Sequence, residues 1–209
     1  PDLSRGELAP TGGRPGETIL PVGATLRRDK IQDYAAPMQQ GRGYQSLRRG
    51  RSSIPGASYF LTYNELHRRP LWDNAQFWCA FRAAVRTAES TNWGSLRVAV
   101  VMPDHLHLVM RLGNQGPLGK LVALMKTLTG NNSGEVRPVF QDGYFDRRLR
   151  PEKQILPVFL YIYRNPQAAG LVETPEAWPY FYCCEEDWTW FSTNLSKDVD
   201  YPEWLQDSE

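Results

Sequence analysis

Histidine is scarce in this chain. Of 209 residues three are histidine, His67, His105 and His107, and the last two stand one residue apart. Cysteine is equally rare: Cys79, Cys183 and Cys184 form neither a C-x-x-C pair nor an even set, which argues against both a zinc ribbon and a disulfide-stapled secreted fold. They read as small apolar residues. Long hydrophobic runs are missing too. No stretch approaches the roughly 18 apolar residues of a membrane span, and the first 30 residues lack a signal peptide's apolar core. The expectation is a cytoplasmic protein with no membrane partner.

What is present suits one sizeable core, with 41% hydrophobic and 12% aromatic residues. The expected division is a flexible basic extension over residues 1–54, a globular domain over 55–180 and an acidic, Trp-rich tail over 181–209. The net charge of +1 conceals an asymmetry: from residue 173 onward there are ten acidic residues against Lys197 alone, a net −9 that leaves +10 for residues 1–172. A basic body of this kind favours polyanionic partners, although dispersed lysines and arginines are often only a solvated surface.

The organising stretch is residues 96–111, LRVAVVMPDHLHLVMR. A β-branched apolar run reaches Met102, Pro103 and Asp104 are turn formers, and an apolar run resumes at His105, which predicts strand, tight turn and strand. Side chains alternate along a strand, so His105 and His107 share one face and Leu106 and Leu108 the other. Rooted about 7 Å apart, two imidazoles can converge on one cation. An ordinary half-exposed hairpin is the competing reading of the pair alone.

Residues 1–50 are rich in Gly, Pro, Gln and Arg without an apolar period. They end in RGYQSLRRGR, where Arg42, Arg48, Arg49 and Arg51 surround Tyr44, an arm able to track phosphates and stack a base, or a plain linker. YFLTYN (59–64) predicts the first strand. A helix is expected over about 75–89, capped by Asp73 or Asn74, with Phe77, Phe81, Ala84 and Ala88 as its core stripe. A second is expected over about 118–128, with Leu121, Leu124, Met125 and Leu128 inward and Lys120 and Lys126 free for solvent or nucleic acid. This alternation predicts an α+β fold: a ferredoxin-like antiparallel sheet with helices on one face, plus terminal extensions. FQDGYFDRRLR (140–150) reads as an edge strand or loop bearing a second basic cluster, Arg147, Arg148 and Arg150. Pro151 opens a helix expected to run to about Asn165, kinked or restarted at Pro157 and stopped before Pro166.

In YIYRNP, Tyr161 and Asn165 are four apart and share a helical face, whereas Tyr163 falls with the core side. A tyrosine beside an amide, on a helix able to pack near two histidines, supplies a nucleophile and a third oxygen ligand. That combination suits phosphoryl transfer with a covalent phosphotyrosine.

VVMPDHLHLV resembles the VMPNHVHLL signature of HUH tyrosine transposases. FQDGYFDRRLR, YIYRNPQAAGLV and WPY resemble the REP-associated tyrosine transposase branch, so the likeness spans about residues 56–180. The resemblance implies a ferredoxin-like, single-strand DNA endonuclease and strand transferase that cuts and rejoins at hairpin repeats with Mg²⁺ or Mn²⁺. It puts the metal ligands on His105, His107 and Asn165, the nucleophile on Tyr161, and favours a monomer. Asp104 departs from the family's asparagine and adds a negative charge beside the histidines, Pro157 sits inside the tyrosine helix, and both extensions lie outside the family core. Single-stranded DNA is the expected partner, with phosphates contacted by Arg42, Arg48, Arg49, Arg51, Lys126, Arg147, Arg148 and Arg150. Two rival readings are a domesticated hairpin-DNA-binding protein that no longer cuts, and a metal-dependent hydrolase using the histidines with Asp104 on a small substrate.

Overall fold

Central strands buried on both faces, rather than any one helix, set the architecture. The computed structural model describes residues 53–68, 75–135 and 138–208, without the side chains of 151–152 and 206–208. The basic arm with Arg42, Arg48, Arg49 and Arg51, and the cap expected at Asp73 or Asn74, lie outside these residues. In chain order the elements are β1 (Ser58–Asn64), α1 (Ala75–Ser90), β2 (Gly94–Val101), β3 (His105–Leu112), α2 (Leu118–Asn132), β4 (Phe145–Arg148), α3 (Pro151–Ala168), β5 (Phe181–Cys183) and α4 (Glu185–Phe191). Every strand pairing is antiparallel and the order is β4-β1-β3-β2-β5. The β-α-β-β-α-β succession with β1 and β3 side by side is the expected split α+β arrangement.

Helices cover both faces of the sheet, not one as expected. Tyr63 lies beneath Lys126 of α2, whereas Phe60 and His107, which point the other way, meet Tyr161 of α3. The reason is visible in the strands: β1 is buried at six consecutive positions and so is β3. A sheet with one wet face would show alternating exposure; these strands require cover on each side. On one face, α1 contributes Phe77, Phe81, Ala84 and Ala88, the expected stripe, all buried. α2 runs to Asn132 and turns Leu118, Leu121, Val122, Met125 and Thr129 inward, with Leu124 and Leu128 only half-buried. On the other face, Phe159 of α3 packs against Trp190 and Phe191 of α4. Truncating a buried phenylalanine such as Phe60, Phe81 or Phe159 to alanine costs about 3–5 kcal/mol.

α3 continues past Asn165 to Ala168, so Pro166 does not end it. Proline removes one hydrogen bond, and the carbonyls around it are still used: Ala169 N–H donates to Asn165 and Leu171 N–H to Pro166. The stop is Gly170, whose φ of +69° is the left-handed conformation that closes a helix at little cost in glycine. At the start, Pro151 occupies the first turn and Gln154 Oε1 accepts the Arg150 N–H at 2.9 Å.

The boundary expected after residue 180 falls just before β5, which pairs with β2 through Phe181, Tyr182 and Cys183. The acidic segment is therefore built into the sheet. Arg97, at the β2 bulge, grips Asp187 of α4 through Nε at 2.8 Å and Nη2 at 2.5 Å. Farther on, Trp204 lies on Phe60 and Phe145, and Leu205 is fully buried. The expected tryptophan cover over the sheet is seen in Trp178, Trp188, Trp190 and Trp204, all packed on the core.

Candidate active site

The hairpin turn is short, closed by Met102 N–H donating to the His105 carbonyl at 2.8 Å. Register sets Thr62 opposite His107 and Asn64 opposite His105, which brings all four side chains to the α3 face. His107 is wholly buried, stacks on Phe60 at 5.4 Å between centroids, and places Nδ1 2.9 Å from Thr62 Oγ1. His105 sets Nδ1 2.7 Å from Asp104 Oδ1, while Asp104 Oδ2 receives Arg68 Nη1 at 2.8 Å. Arg68 holds a φ of 57°, a backbone conformation uncommon outside glycine.

Charge follows from these contacts. Burial alone would raise the Asp104 carboxyl, but the hydrogen bond and charge of His105, together with Arg68, hold it below its ordinary value. Burial, and then the neighbouring His105, push His107 well below the usual imidazole range, so it is neutral. An ionised carboxylate only accepts hydrogen bonds, which makes His105 Nδ1 the donor and turns its Nε2 inward.

The two Nε2 atoms face each other at 3.1 Å. Nitrogens held about 2.1 Å from one cation reach this separation at an angle of about 95°, within the range of ordinary coordination. Asn64 Oδ1, on the same face, is buried with no hydrogen-bond partner, an acceptor with open lone pairs beside the imidazoles. Among the described residues no three His, Cys, Asp or Glu side chains converge. Asn165, 7% exposed, lines a cavity of about 380 Å³ together with His105, Tyr161, Arg164 and Tyr201. The donor set fits a divalent cation held by two imidazoles and amide oxygen.

Tyr161 stands above this pair with Oη 3.5 Å from His107 Nε2 and its ring edge-on to the imidazole at 5.3 Å. Leu160 and Ile162 on either side are fully buried, which fixes the helix rotation that aims the phenol. Tyr163 belongs to the core: it is 5% exposed and donates its hydroxyl to Glu176. Burial, with Glu176, raises its pKa far above the ordinary phenol value. His105, Tyr161 and Asn165 thus line one cavity, and His107 lies 3.5 Å from the Tyr161 hydroxyl.

The basic residues gather less well. Lys126 is not free: Nζ donates to the carbonyls of Gln141 (2.7 Å) and Gly143 (2.5 Å) and sits among the rings of Tyr63, Phe140 and Tyr144, on the face away from the histidines. Arg147 and Arg148 are exposed but adjacent on β4, so they point to opposite faces. Arg147 shares the histidine face, its guanidinium 5.5 Å from the Trp204 ring, and Arg150 is exposed beyond the strand. Sequence reasoning missed Thr62, Asn64, Arg68, Arg164 and Tyr201. Arg164 alone carried a signal, one residue from Asn165 and within a turn of Tyr161.

No family model matches the chain. It is 29% identical over 115 residues, 48% of its length, to a Haemophilus influenzae protein provisionally named a REP-associated tyrosine transposase; the match spans 65% of that relative, just under two thirds. A solved REP-associated tyrosine transposase bound to a REP hairpin superposes with a TM-score of 0.60 over 79% of this chain and 94% of its own, at 20% identity. In sequence and in fold, this chain is similar to REP-associated tyrosine transposases.

Proposed function

We propose that the protein is a metal-dependent endonuclease and strand transferase for single-stranded DNA carrying hairpin repeats, working through a 5′-phosphotyrosine. The observation that carries this reading is the aim of Tyr161 Oη at His107 Nε2, 3.5 Å away, over two imidazoles whose Nδ1 atoms are both held. His105, His107 and Asn165 would hold Mg²⁺ or Mn²⁺, which when bound withdraws charge from the scissile phosphate and orients it. Tyr161 Oη forms a bond to phosphorus while the bond from phosphorus to the 3′ oxygen breaks. The phenolic proton passes to solvent, and the departing 3′ oxygen takes one up to become a hydroxyl. Attack by a 3′ hydroxyl on the phosphotyrosine reverses these changes, so rejoining needs no external energy source.

The surrounding residues orient and exclude. Phe60 and Thr62 fix the His107 ring, Asp104 and Arg68 fix His105, and the fully buried Phe159 and Ile162 keep water from the back of α3. Exposed Arg147 and Arg150, with the arm arginines Arg42, Arg48, Arg49 and Arg51, would contact flanking phosphates. A monomeric, cytoplasmic enzyme fits this reading; no helix among the described residues is long and apolar enough to cross a membrane. The test is incubation of the full chain with end-labelled hairpin DNA and Mg²⁺ or Mn²⁺, which should give a protein-linked band that maps to Tyr161. Binding without any adduct would instead identify a hairpin-binding module, and turnover that survives Tyr161→Phe would identify a hydrolase.

A further inference from the structure

Tyr201 is one of two large apolar side chains left exposed among the described residues, at 38%. An exposed tyrosine alone carries nothing, but this one is built in from both sides. Upstream, Arg164 donates through Nη2 to the carbonyls of Leu195 (2.6 Å) and Lys197 (2.7 Å), and through Nη1 to the Tyr201 hydroxyl at 3.3 Å. Downstream, Trp204 on Phe60 and the fully buried Leu205 anchor the chain to the sheet. The segment between these anchors is thus fastened across α3, and it carries Tyr201 to the wall of the cavity that His105, Tyr161 and Asn165 also line. Its ring meets that of Tyr161 edge-on with centroids 6.0 Å apart.

We infer that Tyr201 is a stacking platform for one unpaired nucleobase next to the scissile phosphate, a proposal that rests on the reading of the site as one for single-stranded DNA. The chemistry is general: an aromatic ring whose position is fixed before binding loses little freedom when a base stacks on it, and every base has a π-face to offer. A cavity of about 380 Å³ beside the nucleophile can admit a flat base, and Arg164 supplies a charged edge that holds the platform rather than the ligand. Tyr201 would therefore select where the single strand lies without reading its sequence. Arg164 acts through Tyr201 and the strap, as a positioning residue.

The experiment uses full-length protein with Tyr161→Phe, which keeps the ring but cannot cleave, and hairpin oligonucleotides whose single-stranded flanks carry 2-aminopurine at each position in turn. One position should show quenched fluorescence on binding. Adding Tyr201→Ala should abolish that quenching and weaken affinity at least about five-fold, the lower end for one stacked base, while Tyr201→Trp restores both. The melting temperature should fall only slightly, since the ring is part-exposed and what it loses is a surface hydrogen bond from Arg164 and one ring contact. Unaltered quenching and affinity in Tyr201→Ala would overturn the proposal, as would tighter binding, which would make the ring a plug in the cavity. The covalent adduct is scored separately with wild-type protein, so stacking without adduct would sink the nuclease reading and leave the platform standing.

Discussion

The two faces of the central hairpin are built from alternate residues of the same strands, yet they do different work. Leu106, Leu108 and Met110 face α1 and α2 with Tyr59, Leu61 and Tyr63, and form a dry core. One residue along, Thr62, Asn64, His105 and His107 make a polar cluster under α3, in which Thr62 and the two histidines are almost as deeply buried and Asn64 is half-buried. Burial therefore does not separate core from site here. The difference lies in hydrogen bonding: on the polar face the Nδ1 atoms are held, and the Nε2 atoms and the Asn64 oxygen are left pointing inward.

The largest effect should come from Tyr161→Phe, which abolishes the covalent adduct altogether while leaving the melting temperature within a degree or two; a surviving adduct on Tyr163 would mean α3 is aimed differently. Next, the faces can be separated by paired substitutions. His105→Ala should reduce Mn²⁺ affinity and cleavage by at least about 100-fold in a folded protein, whereas Leu106→Ala should cost about 2–5 kcal/mol of stability and leave metal affinity per folded molecule unchanged. Calorimetric Mn²⁺ titration and denaturant unfolding read the two quantities. Thr62→Val keeps the shape but removes the hydroxyl at His107 Nδ1, so a loss of about 10–100-fold in metal affinity is expected; equal affinity would show that Thr62 orients nothing.

A smaller effect concerns what fastens α4 to the histidine face. Burial would raise the Asp187 carboxyl, but hydrogen bonds from Arg97, Cys184 and Trp190 and the Arg97 charge hold it below its ordinary value. A depressed carboxylate contributes stability above its unfolded-state pKa and loses it as pH falls through the folded value. Asp187→Asn should cost about 2 kcal/mol at neutral pH and flatten the loss of stability below about pH 4, measured by unfolding across pH. The smallest effects belong to the exposed cations. Arg147→Ala should flatten the slope of log affinity against log salt by about 0.7, whereas Lys126→Ala, its ammonium already taken by carbonyls on the other face, should leave that slope alone and loosen the loop around Gln141 and Gly143.

What the sequence determined by itself is what neighbours along the chain decide. Period-two alternation put His105 and His107 on one face, the Pro103–Asp104 turn made the hairpin, and the four-residue spacing of Tyr161 and Asn165 put both on one side of a helix; each follows from backbone geometry within a few residues. The family likeness then assigned these pieces to one site. Tertiary structure decided the rest. Thr62 reaches His107 across 45 positions, and Arg68 reaches Asp104 only because the chain leaves β1 beside the hairpin turn. Lys126 read as a solvent-facing helix residue until the loop before β4 offered it two carbonyls and three rings. The acidic stretch read as a tail because charge dominates its composition, but Phe181, Phe191, Trp204 and Leu205 bury enough apolar surface to lay it over the sheet and bring Tyr201 to Tyr161. Such contacts are settled by what is left to bury once the strands have paired, and no local pattern records that.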